Sequence, residues 1–142
     1  MNSKLMTPQE IKRLGIKHEQ DLVKLLKDNE FSACRLAASG TSNPDILAAN
    51  GELTLILEVK TSRTPLIRVR TKQVYTLRTF SQRFKAKAYI AAKFINRASW
   101  RFVELQYLNV GEKGFSLDYN TAELKGINLD ELLNNESQTK LI

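Results

Sequence analysis

An aspartate, Asp45, and a glutamate, Glu58, stand twelve intervening residues apart, and Lys60 follows the glutamate by two. Two carboxylates that share a site repel each other unless a positive charge lies between them. Oxygen donors of this kind, with positions left open for water, suit Mg²⁺ or Mn²⁺. An ammonium group beside them can polarise a water or stabilise charge developing on a phosphate. Together these are the parts of a metal-assisted phosphodiesterase. Glu19 adds a further acid. It precedes Leu22, Val23 and Leu26 by three, four and seven residues, on the apolar stripe of a helix rather than its solvent face. A carboxylate turned inward requires a partner, and a metal site beneath the helix would be one.

The elements that must position these groups can be read from pattern. Thr7-Pro8-Gln9-Glu10 has capping-box spacing with proline at the first helical position, and helical periodicity then runs to Asp28-Asn29, with Gly15 a point where the helix can break. Phe31 to Ala37 reads as a strand, followed by a loop through Ser39-Gly40 to Pro44. Asp45 to Ala49, then Asn50-Gly51, then Glu52 to Lys60 has the signature of a hairpin with a two-residue turn. With Asn50 and Gly51 as the turn, opposed residue numbers sum to 101, and Asp45 and Glu58 are diagonal neighbours. One face then carries Ile46, Ala48, Leu53, Leu55, Leu57 and Val59, and the other carries Asp45, Leu47, Ile56, Glu58 and Lys60. Thr71 to Phe84 reads as a second helix, Ala86 to Phe94 and Trp100 to Leu108 as strands, Gly111 to Gly114 as a turn, and Asn128 to Leu133 as a short helix. The expected class is α/β.

Charge and composition bound the function. The chain of 142 residues carries a formal charge of +7 with 42% hydrophobic residues, enough for one sizeable core and too short for two large domains. The interval from Lys60 to Arg101 holds twelve Lys or Arg and no acid, while the flanking segments together sum to −5. Such a concentration favours a polyanion whose phosphates shed counterions on binding. One cysteine, Cys34, excludes an internal disulfide, and one histidine, His18, excludes zinc fingers and three-histidine sites. No apolar run is long enough for a membrane span or a secretory leader, and the expected compartment is a reducing cytoplasm. Cys34 is expected to be buried and His18 solvated.

Pro44-Asp45 followed by Glu58-Val59-Lys60 resembles the Pro-Asp…(Asp/Glu)-x-Lys nuclease superfamily. Gly15-Ile16-Lys17-His18-Glu19, Arg35-Leu36-Ala37-Ala38-Ser39-Gly40, Val69-Arg70-Thr71-Lys72-Gln73, Phe80, Phe84 and Gly126-Ile127-Asn128-Leu129 occur in order around that motif. The whole series, over roughly residues 15–133, resembles the archaeal-type Holliday junction resolvases, cellular or viral. The resemblance implies a restriction-endonuclease-like mixed β-sheet flanked by helices in a single nuclease domain over residues 1–142. Residues 1–14 would be an N-terminal extension or helix start, and residues 134–142 a frayed tail.

The resemblance also implies roles. Glu19, Asp45, Glu58 and the Val59 carbonyl would hold Mg²⁺, or Mn²⁺, with no other small-molecule cofactor. Lys60 would be the catalytic lysine, and Ser39 a serine on a loop that engages the scissile strand. Arg35 would lie near the DNA, and Phe80 and Phe84 would serve dimer packing or, at their helical spacing, the core. Arg63, Arg68, Arg70 and Lys72 follow directly from the site strand and are the expected phosphate contacts. The implied protein is a homodimer that binds four-way DNA junctions by shape and nicks opposed strands symmetrically, in the cytoplasm of an archaeal or virus-infected host cell. Two alternatives stay open: another nuclease of the same superfamily, of restriction or repair type, and a non-catalytic DNA-binding module of the same fold.

Overall fold

The computed structural model describes residues 5–37 and 43–134. Helix α1 (Pro8–Asp28) starts where Thr7 accepts the Glu10 N–H through its hydroxyl (3.1 Å), and it runs through Gly15 without a break. Strand β1 (Ser32–Arg35), β2 (Ile46–Ala49) and β3 (Thr54–Ser62) follow. Then come β4 (Leu66–Val69), helix α2 (Thr71–Phe84), β5 (Lys87–Phe94) and β6 (Arg101–Glu104). A 3-10 turn (Leu105–Tyr107) leads to β7 (Asn109–Gly111), β8 (Gly114–Asp118) and α3 (Tyr119–Lys125), and residues 129–134 are helical. The main sheet has the order β1-β2-β3-β5-β6, and β4-β8-β7 form a smaller one.

β3 and β5 are parallel neighbours, and α2 lies in the crossover between them, as a parallel pair requires. α1 covers one face of the sheet: Leu22 and Leu26 are buried against Ile46, Ala48, Leu55, Leu57 and Tyr89. α2 covers the other, with Val74 and Leu77 buried against Ile56, Ile90 and Phe94. The alternation along β3 feeds both layers. This is why its strand carries an apolar residue on each side through Leu55, Ile56 and Leu57, all fully buried.

The hairpin register differs from the expectation. Ile46 opposes Leu57 and Ala49 opposes Thr54, so opposed numbers sum to 103. The turn residues are Gly51 and Glu52, with Gly51 at φ +92. Asn50 follows the end of β2 directly, its N–H donating to the Leu53 carbonyl (3.1 Å). Its side-chain oxygen accepts from the N–H groups of Glu52 (2.9 Å) and Leu53 (2.7 Å), so the asparagine closes the turn with its side chain as well as its backbone. A shift of two preserves parity, and the two faces keep their predicted membership.

Other expectations need correction. Cys34 is exposed, on β1, which is the outer strand of the sheet. His18 is half-buried, and neither ring nitrogen has a hydrogen-bond partner; burial and the Lys93 ammonium hold its pKa below the ordinary value. The expected strand from Trp100 to Leu108 ends at Glu104 in the 3-10 turn. The small sheet and α3 lie in segments given no strand or helix from pattern.

Candidate active site

β3 outruns β2. β2 begins at Ile46 opposite Leu57, so Glu58 to Ser62 pair only with β5, from Ile90 to Phe94. The edge of β3 that would carry β2 is therefore open from Glu58 onward. Asp45 fills the first part of that gap. Its N–H donates to the Leu57 carbonyl (3.0 Å), which takes it off the regular ladder, and its Oδ2 accepts the Val59 N–H at 2.8 Å. The N–H and C=O of one strand residue leave on the same edge. The Val59 carbonyl consequently emerges on the side where Asp45 lies.

Glu58 is the one charged side chain among the buried polar residues described, at 5% exposure. Its carboxyl faces that of Asp45 at hydrogen-bond range. Burial first, then the Asp45 charge, pushes its pKa up to about 8; Lys60 pulls the other way, and Glu19 adds a smaller push upward. Gln73 fixes it from the α2 side. The Gln73 Nε2 donates to Glu58 Oε2 (3.0 Å), while its Oε1 accepts the Arg70 N–H (3.0 Å) at the start of the helix. A single amide thus ties the helix N-terminus to the acid.

Glu19 comes from α1 and lines the same cleft of about 360 Å³ as Asp45, Glu58, Arg35 and Gln73. Its inward position matches the stripe argument, and burial followed by the Asp45 charge raises its pKa. Its partner is Arg35, whose Nε lies 3.3 Å from Glu19 Oε1. Among the described residues no group of three or more Asp, Glu, His or Cys side chains comes together as a metal cage. The tight pair is Asp45–Glu58, with Glu19 on the cleft wall beside it.

Lys60 lies within electrostatic reach of Glu58 but lines a neighbouring groove with Arg68 and Arg70. Arg63, Arg68, Arg70 and Lys72 are all exposed. Phe80 packs partly into the α2 core, and Phe84, 52% exposed, stacks on it at 5.6 Å between centroids. Ser39 lies outside the described residues. Gln73 was quoted above as part of a motif and given no role; what could have signalled one is its place three residues after Arg70, where a glutamine can cap the helix backbone.

The donor set suits a divalent cation. Two facing carboxylates, the Glu58 one with its pKa raised by burial first and by Asp45 second, with a main-chain carbonyl on the same edge, form an oxygen-rich site that positive charge would stabilise.

Comparison with known proteins agrees with the motif series. The crossover junction endodeoxyribonuclease Hjc of Archaeoglobus fulgidus is 37% identical over 125 residues, covering 86% of this chain and 90% of that protein. The crossover junction endodeoxyribonuclease Hje of Sulfolobus acidocaldarius is 32% identical over 98 residues, covering 66% of this chain and 70% of that one. The 1.6 Å structure of Archaeoglobus fulgidus Hjc, a Holliday junction resolvase from an archaeal hyperthermophile, superposes with a TM-score of 0.76 at 36% identity, over 84% of this chain and 98% of that one. The mixed sheet flanked by helices is therefore the restriction-endonuclease-like fold that the motifs implied. The family model "Archaeal holliday junction resolvase (hjc)" matches residues 10–141, and with nearly the whole chain accounted for, this protein belongs to the archaeal Holliday junction resolvases.

Proposed function

We infer that this chain is a structure-selective endonuclease, a crossover junction endodeoxyribonuclease that cuts four-way DNA junctions with a divalent cation, Mg²⁺ or Mn²⁺. The observation that carries the reading is the buried Glu58 carboxyl facing Asp45 beside Lys60, in a chain of this family. Asp45, Glu58 and the Val59 carbonyl would hold the cation, with Glu19 a further carboxylate on the cleft wall. Once bound, the cation acidifies water and neutralises charge on the phosphate. In the hydrolysis a water oxygen bonds to phosphorus, one P–O ester bond breaks, and the leaving oxygen takes a proton. Glu58 has to give up its proton for the cation to bind, and Gln73 keeps its carboxylate aimed at the cleft. Lys60 places its ammonium where charge develops on the phosphoryl oxygens. Arg63, Arg68, Arg70 and Lys72 contact backbone phosphates, which positions the DNA without reading its sequence.

A four-way junction offers two symmetric strands, and a homodimer offers two sites. The half-exposed Phe84 stacked on Phe80 supports a seam along α2. Work on such DNA belongs in the cytoplasm of an archaeal or virus-infected cell. Among the described residues no helix is long and apolar enough to cross a membrane.

The test is a cleavage panel of junction, linear duplex, flap and single-stranded DNA, with and without Mg²⁺. Paired nicks in the junction alone, dependent on the cation, are expected. Preferential cutting of duplex or flap would replace the reading with another nuclease of the superfamily. Salt-dependent binding with no cleavage of any substrate would make the chain a binding module. Sedimentation of the wild type against Phe84→Glu tests the seam, which predicts a dimer that the variant splits.

A further inference from the structure

Next to the acid cleft lies a larger groove, of about 690 Å³, whose far wall lies outside the motif series. Its floor and near wall are Lys60 of β3, Arg68 of β4 and Arg70 at the start of α2. Its far wall is the β7–β8 hairpin, with Glu112 and Lys113 at the turn. The small sheet explains how it forms. Arg68 pairs with Ser116, and Ser116 with Asn109, so the three share one face. The opposite face carries Ile67, Val69 and Leu117, which are buried against α2 and β5. The core therefore fixes the sheet and forces its polar row outward.

Two glycines flank the turn. Gly114 sits at φ +123, and a Cβ there would come within 3.3 Å of the Val69 carbonyl and 3.5 Å of Thr71 Oγ1. The hairpin thus leaves β8 pressed against the start of α2, and its tip projects into solvent: Val110, Glu112 and Lys113 are all exposed. Against four basic lining side chains, Lys60, Arg68, Arg70 and Lys113, stands one acid, Glu112.

Glu58 belongs to the first cleft and Lys60 to the second, two residues apart on one strand. The groove therefore opens beside the cleft along β3. That arrangement suits a polymer of phosphates rather than a free ion. We propose that the β7–β8 hairpin is the outer wall of the DNA path, and that Lys113 at its turn grips the sugar–phosphate backbone of the strand that continues from the scissile phosphate.

The proposal rests on the nuclease reading, and the experiment separates the two. Junction affinity of the full chain is measured across a salt series for the wild type, Lys113→Ala, Glu112→Gln and, on the opposite layer, Lys27→Ala. Lys113→Ala is expected to lower the salt slope by about one unit, and affinity about threefold or more at low salt. Glu112→Gln is expected to tighten binding, which a merely destabilised variant would not do. In a Cys34→Ser background, an iron chelate tethered at Lys113→Cys should break the backbone within a few nucleotides of the nick. Unchanged slopes for both hairpin variants, an equal effect from Lys27→Ala, or scission confined to distant arms overturns the proposal. A wild type that neither binds nor cuts junctions overturns the nuclease reading itself.

Discussion

Asp45 and Val59 are joined where a strand is missing: the Asp45 carboxylate accepts the Val59 N–H at 2.8 Å, just past the point where β2 begins. A side chain completes the edge of β3 for one residue and leaves it open beyond. The same bond turns the Asp45 carboxyl toward Glu58. Sheet architecture and site chemistry meet in this one contact.

The Glu58 carboxyl makes stability of the cation-free protein depend on pH. Its folded pKa is raised to about 8 from an ordinary value of 4.5. The folded state therefore holds a proton that the unfolded state releases, and stability is lost as pH rises from the unfolded value through about 8. Urea unfolding at pH 5, 7 and 9 in a chelator should give falling midpoints that level off above pH 9. Mg²⁺ should raise the midpoint most at the alkaline end, because binding displaces that proton. A midpoint that climbs with pH in chelator would show that Glu58 is charged in the folded state.

Gln73 touches Glu58 and the Arg70 N–H, so its substitution is expected to act through the acid. Gln73→Ala removes a bond to the acid and the cap on Arg70 N–H. Outer-shell losses of this kind cost about 10–100-fold in metal affinity or activity. The Mg²⁺ concentration for half-maximal cleavage should rise, with junction affinity in chelator unchanged. An equal loss of junction affinity would instead make Gln73 a DNA contact.

The strand that carries Glu58 and Lys60 also carries the core. Leu57 is fully buried between Ile46 and Tyr89 on neighbouring strands. Leu57→Ala should cost about 2–5 kcal/mol in chemical denaturation. Leu124→Ala, at a position 81% exposed on α3, should stay within about 0.5 kcal/mol. Equal effects would place Leu57 outside the packed interior.

Much of this was legible in the chain because local signals and burial agreed. Thr7-Pro8 fixed the start of α1, and α2 spans Thr71–Phe84 as its periodicity predicts. The partition of Asp45, Glu58 and Lys60 from the apolar residues of the hairpin survived a wrong register, since a slip of two leaves side-chain direction unchanged. The turn itself failed because Asn50 caps it from the preceding position, through its side-chain oxygen and its own N–H, and leaves Gly51 and Glu52 as the turn residues. Strands β4, β7 and β8 are three to five residues long, too short for alternation to stand out. Arg35 as the partner of Glu19 is a contact sixteen residues apart that no spacing rule encodes.

Asp45 and Glu58 would together hold the cation that drives cleavage. Asp45→Asn keeps an oxygen to accept the Val59 N–H but removes the charge that a cation needs. Cleavage and binding of one four-way junction by this variant, compared with the wild type in Mg²⁺, tests the claim most directly. The expected result is a loss of cutting of at least about 100-fold with junction affinity retained. Cutting at the wild-type rate by Asp45→Asn would contradict it.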